Sequence, residues 1–233
     1  DYRALQSELG LARAVVVQPT TYGLDNRCQL RGVAALGDAA RAVVVVDDTV
    51  DDAEVLRLHE LGARGVRFHM LPGGAVPWEV LEPVAERVAP RGWHVQLQLN
   101  GRELTERAER LRRLPVDVVV DHVGRFMPPV PTDDAAFEAL LGLLDEGRTW
   151  VKLSAPYESS VTGPPGYDDV TPLVERLVAR VPDRLLWASN WPHPGQAAPP
   201  SPGDLTRLAE RWLPDPATRT KVLTDNPAAL YGF

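Results

Sequence analysis

The sequence holds a single cysteine, Cys28. No intrachain disulfide can form, Cys28 reads as inert in its polar setting, and a reducing, cytoplasmic interior is the easier fit. No apolar run approaches the ~20 residues that a bilayer crossing needs. The opening stretch "DYRALQSELG" has neither the basic nor the apolar region of a signal peptide. There is no surplus of positive charge either: a net charge of -7 gives no face for nucleic acid or an anionic membrane. The expected partner is a small-molecule substrate, with a homo-oligomer left open. Also absent are the G-x-G-x-x-G and G-x-x-x-x-G-K-[ST] fingerprints, so dinucleotide and P-loop chemistry have no support. No H-x-H, H-E-x-x-H or cysteine pair supplies a closed structural zinc site, and no G-x-S-x-G elbow supplies a serine nucleophile.

What is there is 44% hydrophobic and 24% charged, the balance of a globular chain. Short β-branched runs alternate with segments of helical period, the pattern of βα units on a parallel sheet. The runs at 13–19, 40–46, 64–70, 94–100, 117–124, 149–155 and 184–190 read as seven strands. Helices are expected between them, for example at 51–62, 103–114 and 133–147, the last capped by Thr132 or Asp133. Seven such units with short connections favour a (β/α)8 TIM barrel, a single domain over 1–233, rather than an open sheet. One more strand is needed, and because residues 1–10 read as a helix it is expected upstream. Only 159–169 and 194–204 read as loose, and both are placed as loops over the barrel mouth.

Barrel sites form at the C-terminal ends of strands, and polar residues gather at those ends here. They are Gln18 with Thr20, Thr21 and Tyr22; Asp47 and Asp48; Arg67 and His69; Gln96, Gln98 and Asn100; Asp121, His122 and Arg125; Lys152, Ser154 and Tyr157; and Ser189, Asn190 and His193. Within "VVVDHVGR", the imidazole of His122 could bind a metal, donate to a carbonyl or shuttle a proton. Arg125 could grip a carboxylate or form a surface ion pair. Arg67 and His69 are two apart and share a strand face, as do Gln96 and Gln98. The same alternation sets Asp121 and Val123 against Val120 and His122. An inward Arg67 needs an anion, from a substrate or from the chain. His59 reads as a packing or capping residue, and His94 lies at the stability end of its strand.

"LHELGARGVRF", "VVDHVGR", "LWASNWPHP" and "TDNPAALYGF" together resemble the amidohydrolase-related (amidohydrolase 2) barrels, the family of 2-pyrone-4,6-dicarboxylate lactonase and the sugar-lactonase and muconolactone hydrolases. The resemblance implies an eight-stranded barrel whose opening strand, with an H-x-H pair, precedes this sequence. It implies that His122 contacts the scissile carbonyl, that Arg67 and Arg125 hold substrate, and that Thr20, Thr21 and Tyr22 line the pocket; His69, Gln98 and Tyr157, at their strand ends, are expected as further substrate contacts. Asn190 stands where the hydrolases carry an aspartate base, and His193 belongs to the same loop. The resemblance implies either no cofactor or one divalent, zinc-like ion. Asparagine cannot accept a proton at neutral pH, so the base must be His193 or a histidine upstream. Glu158 stands where the dicarboxylate enzymes supply an arginine, which argues for at most one substrate carboxylate. The expectation is a lactonase that opens a cyclic ester by water attack. The alternatives are a lyase of decarboxylase or dehydratase type, or a binding protein that has lost its chemistry.

Overall fold

Seven runs rich in Val, Leu and Ala form strands in the computed structural model, which describes residues 1–233: β1 (Ala14–Val17), β2 (Ala40–Val44), β3 (Ala63–His69), β4 (His94–Gln98), β5 (Val118–Val120), β6 (Thr149–Leu153) and β7 (Leu185–Trp187). All pair in parallel in chain order. The sheet curls in the manner of a TIM barrel, and β1 and β7 are each paired on one side only.

Helices α1 (Tyr2–Leu9), α2 (Arg27–Leu36), α3 (Asp52–Glu60), α4 (Leu81–Val88), α5 (Leu104–Arg112), α6 (Ala135–Asp145), α7 (Thr171–Arg180) and α8 (Pro202–Trp212) form the outer layer, and α9 (Pro216–Thr220) and α10 (Asn226–Tyr231) follow. Their starts have local causes. The Asp51 side chain accepts from Glu54 N–H at the head of α3, and Ser201 with Asp204 forms a capping box on α8. The cap of α6 is Asp134, which accepts from Ala136 N–H, and not Thr132 or Asp133.

Alternation divides the sheet's side chains between two environments. One set, with Val66, Phe68, Val95, Leu97, Val120, Val151 and Leu153, packs under the helices in the main core. The other faces the inside of the curl. Val43, Val119, Trp150 and Leu186 form a small apolar floor there with Tyr231 of α10. Beside it His94 is buried with neither ring nitrogen hydrogen-bonded; its ring meets Tyr231 edge-on at 5.2 Å between centroids. Gly65 makes room for it, since a Cβ there would fall 2.5 Å from the imidazole.

Most strands end two residues before the expected limit, and two end earlier still. The run at 117–124 stops at Val120 and that at 184–190 stops at Trp187, because the chain then turns into left-handed backbone at His122 (φ 54), Val123 (φ 56) and Asn190 (φ 56). The expected pairing of faces past β5 fails for the same reason. Asp121 turns into the curl to meet Lys152, His122 still reaches Ser154, and Val123 joins the main core. The segment 159–169 is not loose: Asp169 accepts from Ser160 Oγ at 2.6 Å, Val161 N–H at 2.6 Å and Thr162 Oγ1 at 2.8 Å. The last three residues of 194–204 belong to α8.

Candidate active site

The strand ends carry an unusual density of strained backbone. Non-glycine residues with positive φ are His122, Val123 and Arg125 after β5, Ala155 after β6, and Asn190 and His193 after β7, with Tyr167, shortly before α7, the one case away from a strand end. Each such conformation costs roughly 1–3 kcal/mol. Sharp turns placed at three neighbouring strand ends aim side chains back over the open end of the sheet.

Below that rim lies a layer of charge. Lys152 Nζ sits 3.2 Å from Asp121 Oδ1, both buried, and Gln96 Nε2 donates to the two Asp121 oxygens at 3.1 and 3.0 Å. Burial alone would raise the Asp121 pKa, but Lys152, His122, Arg67 and the Gln96 hydrogen bond outweigh it and hold the carboxyl below the ordinary range. Burial lowers the Lys152 pKa, opposed by Asp121. Arg67 has no such partner. Its Nη1 donates to the Gln18 carbonyl at 2.9 Å, its Nη2 donates to Gln98 Oε1, and its Nε is sealed from solvent without an acceptor. No carboxylate forms an ion pair with it; Asp121 and Glu158 act on it only at longer range, and each already has a cation of its own in Lys152 or Arg125.

Three imidazoles at the strand ends have different roles. His69 Nδ1 lies 3.1 Å from Gln98 Oε1 and, donating there, leaves Nε2 as an acceptor; burial and the neighbouring Arg67 lower its pKa. His122 Nδ1 lies 2.9 Å from Ser154 Oγ, both buried. A serine proton donated to Nδ1 leaves Nε2–H as a donor. Burial brings the His122 pKa down to about 4, so the ring is neutral at neutral pH. His193 Nδ1 lies 2.8 Å from Tyr157 Oη, and Asn190 Nδ2 donates to the same oxygen at 2.8 Å. Burial lowers the His193 pKa.

The remaining candidates divide. Arg125 is turned to Glu158, with Nη2 and Nε at 2.8 and 3.2 Å from one carboxylate oxygen, so its charge is already met within the chain. Thr20, Thr21 and Tyr22 form a turn after β1, where Thr21 and Tyr22 are exposed and none of the three bonds to the cluster; the Gln18 carbonyl makes that contact instead. His59 accepts from Trp93 Nε1 at 2.9 Å, the expected packing role. Ser154 and Asp121 were visible only as polar strand-end residues; the spacing of Lys152 in β6 and Ser154 just past its end, two apart, was the signal for their shared side.

A divalent ion does not fit the residues of this chain. No three His, Cys, Asp or Glu side chains are grouped to hold one, and Asp121, the carboxylate in the interior, is engaged by Lys152 and Gln96.

Known proteins match the chain over its full length. The family model described as Amidohydrolase matches residues 1–233. D-galactarolactone isomerase of Agrobacterium fabrum is 38% identical over 234 residues, 99% of this chain and 80% of that protein. A curated 2-pyrone-4,6-dicarboxylate hydrolase of Comamonas testosteroni is 38% identical over 239 residues, 98% of this chain and 78% of that protein. An apo crystal structure from Agrobacterium tumefaciens superposes with a TM-score of 0.94 at 37% identity, covering 100% of this chain and 85% of the other.

Proposed function

The chain belongs to the Amidohydrolase family, and from that premise we propose that it opens lactones carrying at most one carboxylate. The observation that carries the reading is the guanidinium of Arg67, which has no ion-pair partner of its own beside the lowered-pKa imidazole of His69, while Arg125 is satisfied by Glu158. A carboxylate docked on Arg67, with Gln98 beside it, supplies the missing anion. His122 presents Nε2–H to the ring carbonyl or the leaving oxygen, and His193 takes the proton of the attacking hydroxyl. No step runs through a metal ion.

Water is the attacking group in the hydrolytic reading, in line with the relative named a pyrone-dicarboxylate hydrolase. A second reading has support from one residue. Asn190 supplies no carboxylate to activate water, and attack by a hydroxyl of the substrate itself would move the lactone ring, the kind of change named for the isomerase relative. Turnover of mono-anionic sugar and muconate-type lactones in oxygen-18 water separates the two. Label in a ring-opened acid means hydrolysis, unlabelled isomeric lactone means isomerisation, and no consumption of any mono-anionic lactone refutes both.

The wider setting is proposed on the same footing. The seam between β1 and β7 would take an eighth parallel strand, completing a (β/α)8 barrel. The lone cysteine suits a cytoplasmic enzyme with a small-molecule substrate.

A further inference from the structure

Tyr157 Oη sits between two groups, 2.8 Å from Asn190 Nδ2 and 2.8 Å from His193 Nδ1. A phenol has one proton to give and two lone pairs to offer. The amide nitrogen has hydrogens only, so it occupies one lone pair. The phenol proton is then free for His193 Nδ1, which accepts it and keeps its own proton on Nε2. One lone pair of Tyr157 is left open. A carboxylate at position 190 would reverse every element of this chain, because it would draw the phenol proton to itself and oblige His193 to donate from Nδ1.

We propose that Asn190 is a positioning residue that sets the direction of this chain, so that Tyr157 delivers its proton to His193 and its own oxygen becomes the acceptor for the nucleophilic hydroxyl. The inference rests on the lactone reading for its chemistry. In the step itself the nucleophile's O–H bond breaks and its proton passes to Tyr157 Oη while the Tyr157 proton passes to His193 Nδ1. The freed oxygen pair forms the bond to the lactone carbonyl carbon. The ring C–O bond breaks, and the leaving oxygen takes the proton of His122 Nε2. Solvent then returns His122 and His193 to their starting states. Burial supports the starting states: it pushes the Tyr157 pKa up to about 12, keeping the phenol protonated, and lowers that of His193.

This answers why position 190 is an amide. It is not a disabled base but the group that makes Tyr157 and His193 act as one.

Nitrogen-15 NMR of histidine-labelled, ligand-free protein tests the chain directly, without any substrate. The sequence has five histidines, and His193→Gln identifies the relevant signals. At neutral pH the native chain should carry the His193 proton on Nε2 with Nδ1 bare and hydrogen-bonded, and Asn190→Asp should move the proton to Nδ1. Tyr157→Phe should shift the Nδ1 resonance to that of an unbonded ring nitrogen, which covers the case in which the aspartate variant fails to fold. A native His193 protonated on Nδ1, an unchanged tautomer in Asn190→Asp, or an unmoved Nδ1 resonance in Tyr157→Phe would each overturn the proposal. Because no lactone is added, these outcomes are independent of whether the oxygen-18 experiment supports the substrate class.

Discussion

Arg67 is hydrogen-bonded at both Nη atoms to neutral oxygens, and it has no ion-pair partner of its own, since Asp121 and Glu158, which act on it at longer range, are paired to Lys152 and Arg125. A charge largely withdrawn from water without a counterion lowers the stability of the unliganded protein. Arg67→Met should therefore raise Tm by about 2–6 °C, the equivalent of ~1–2 kcal/mol for a chain of this size. The same change should weaken binding of a mono-anionic lactone by about tenfold to a hundredfold, the worth of a charge-assisted hydrogen bond. Thermal melts and KM check both, and a lower Tm with unaltered KM would refute the argument. At this scale the sequence showed residue types but not partnerships. It showed Asn190, Tyr157 and His193 at strand ends, yet Tyr157 and Asn190 meet across two different loops. It showed Glu158 as an unexpected anion, yet not that Arg125 turns to it.

The elements were more legible than their ends. Runs such as Val118–Val120 can pack on two faces only as strands, so the existence of seven parallel strands followed from composition. Where each strand stopped did not follow, because left-handed backbone at residues such as Ala155 and Asn190 is a product of the packed site and has no adjacent glycine to announce it. Helix caps show the same limit. Thr132, Asp133 and Asp134 all carry oxygens fit to cap α6, and only chain direction selects Asp134, whose Oδ1 lies 2.8 Å from Ala136 N. Asp134→Ala should destabilise the protein by ~1 kcal/mol, while Asp133→Ala should leave the urea midpoint where it is. Equal effects from the two variants would mean that the cap is shared.

For the whole molecule, the sharpest signature is its response to acid. Burial brings the pKa of His94 to about 3 and that of His122 to about 4, from an ordinary 6.5. As pH falls below that ordinary value the unfolded chain takes up protons that the folded chain refuses. The stability these groups contribute is complete above it and declines through the window down to about 4 and then about 3. The slope is ~1.4 kcal/mol per pH unit for each histidine. Urea midpoints measured from neutrality into that window should fall steadily, and a flat profile would show that the two rings are hydrated. The sequence had assigned His94 to the stability end of the barrel, but not its burial without hydrogen bonds over Gly65 and beneath Tyr231. The lone guanidinium of Arg67 reaches beyond the test tube. A ligand that supplies its anion binds the folded state alone and so slows every process that begins with unfolding. In a cell where proteases remove unfolded chains, copies of this protein would persist longest when its substrate is plentiful, and supply would regulate the catalyst's lifetime without any dedicated regulator.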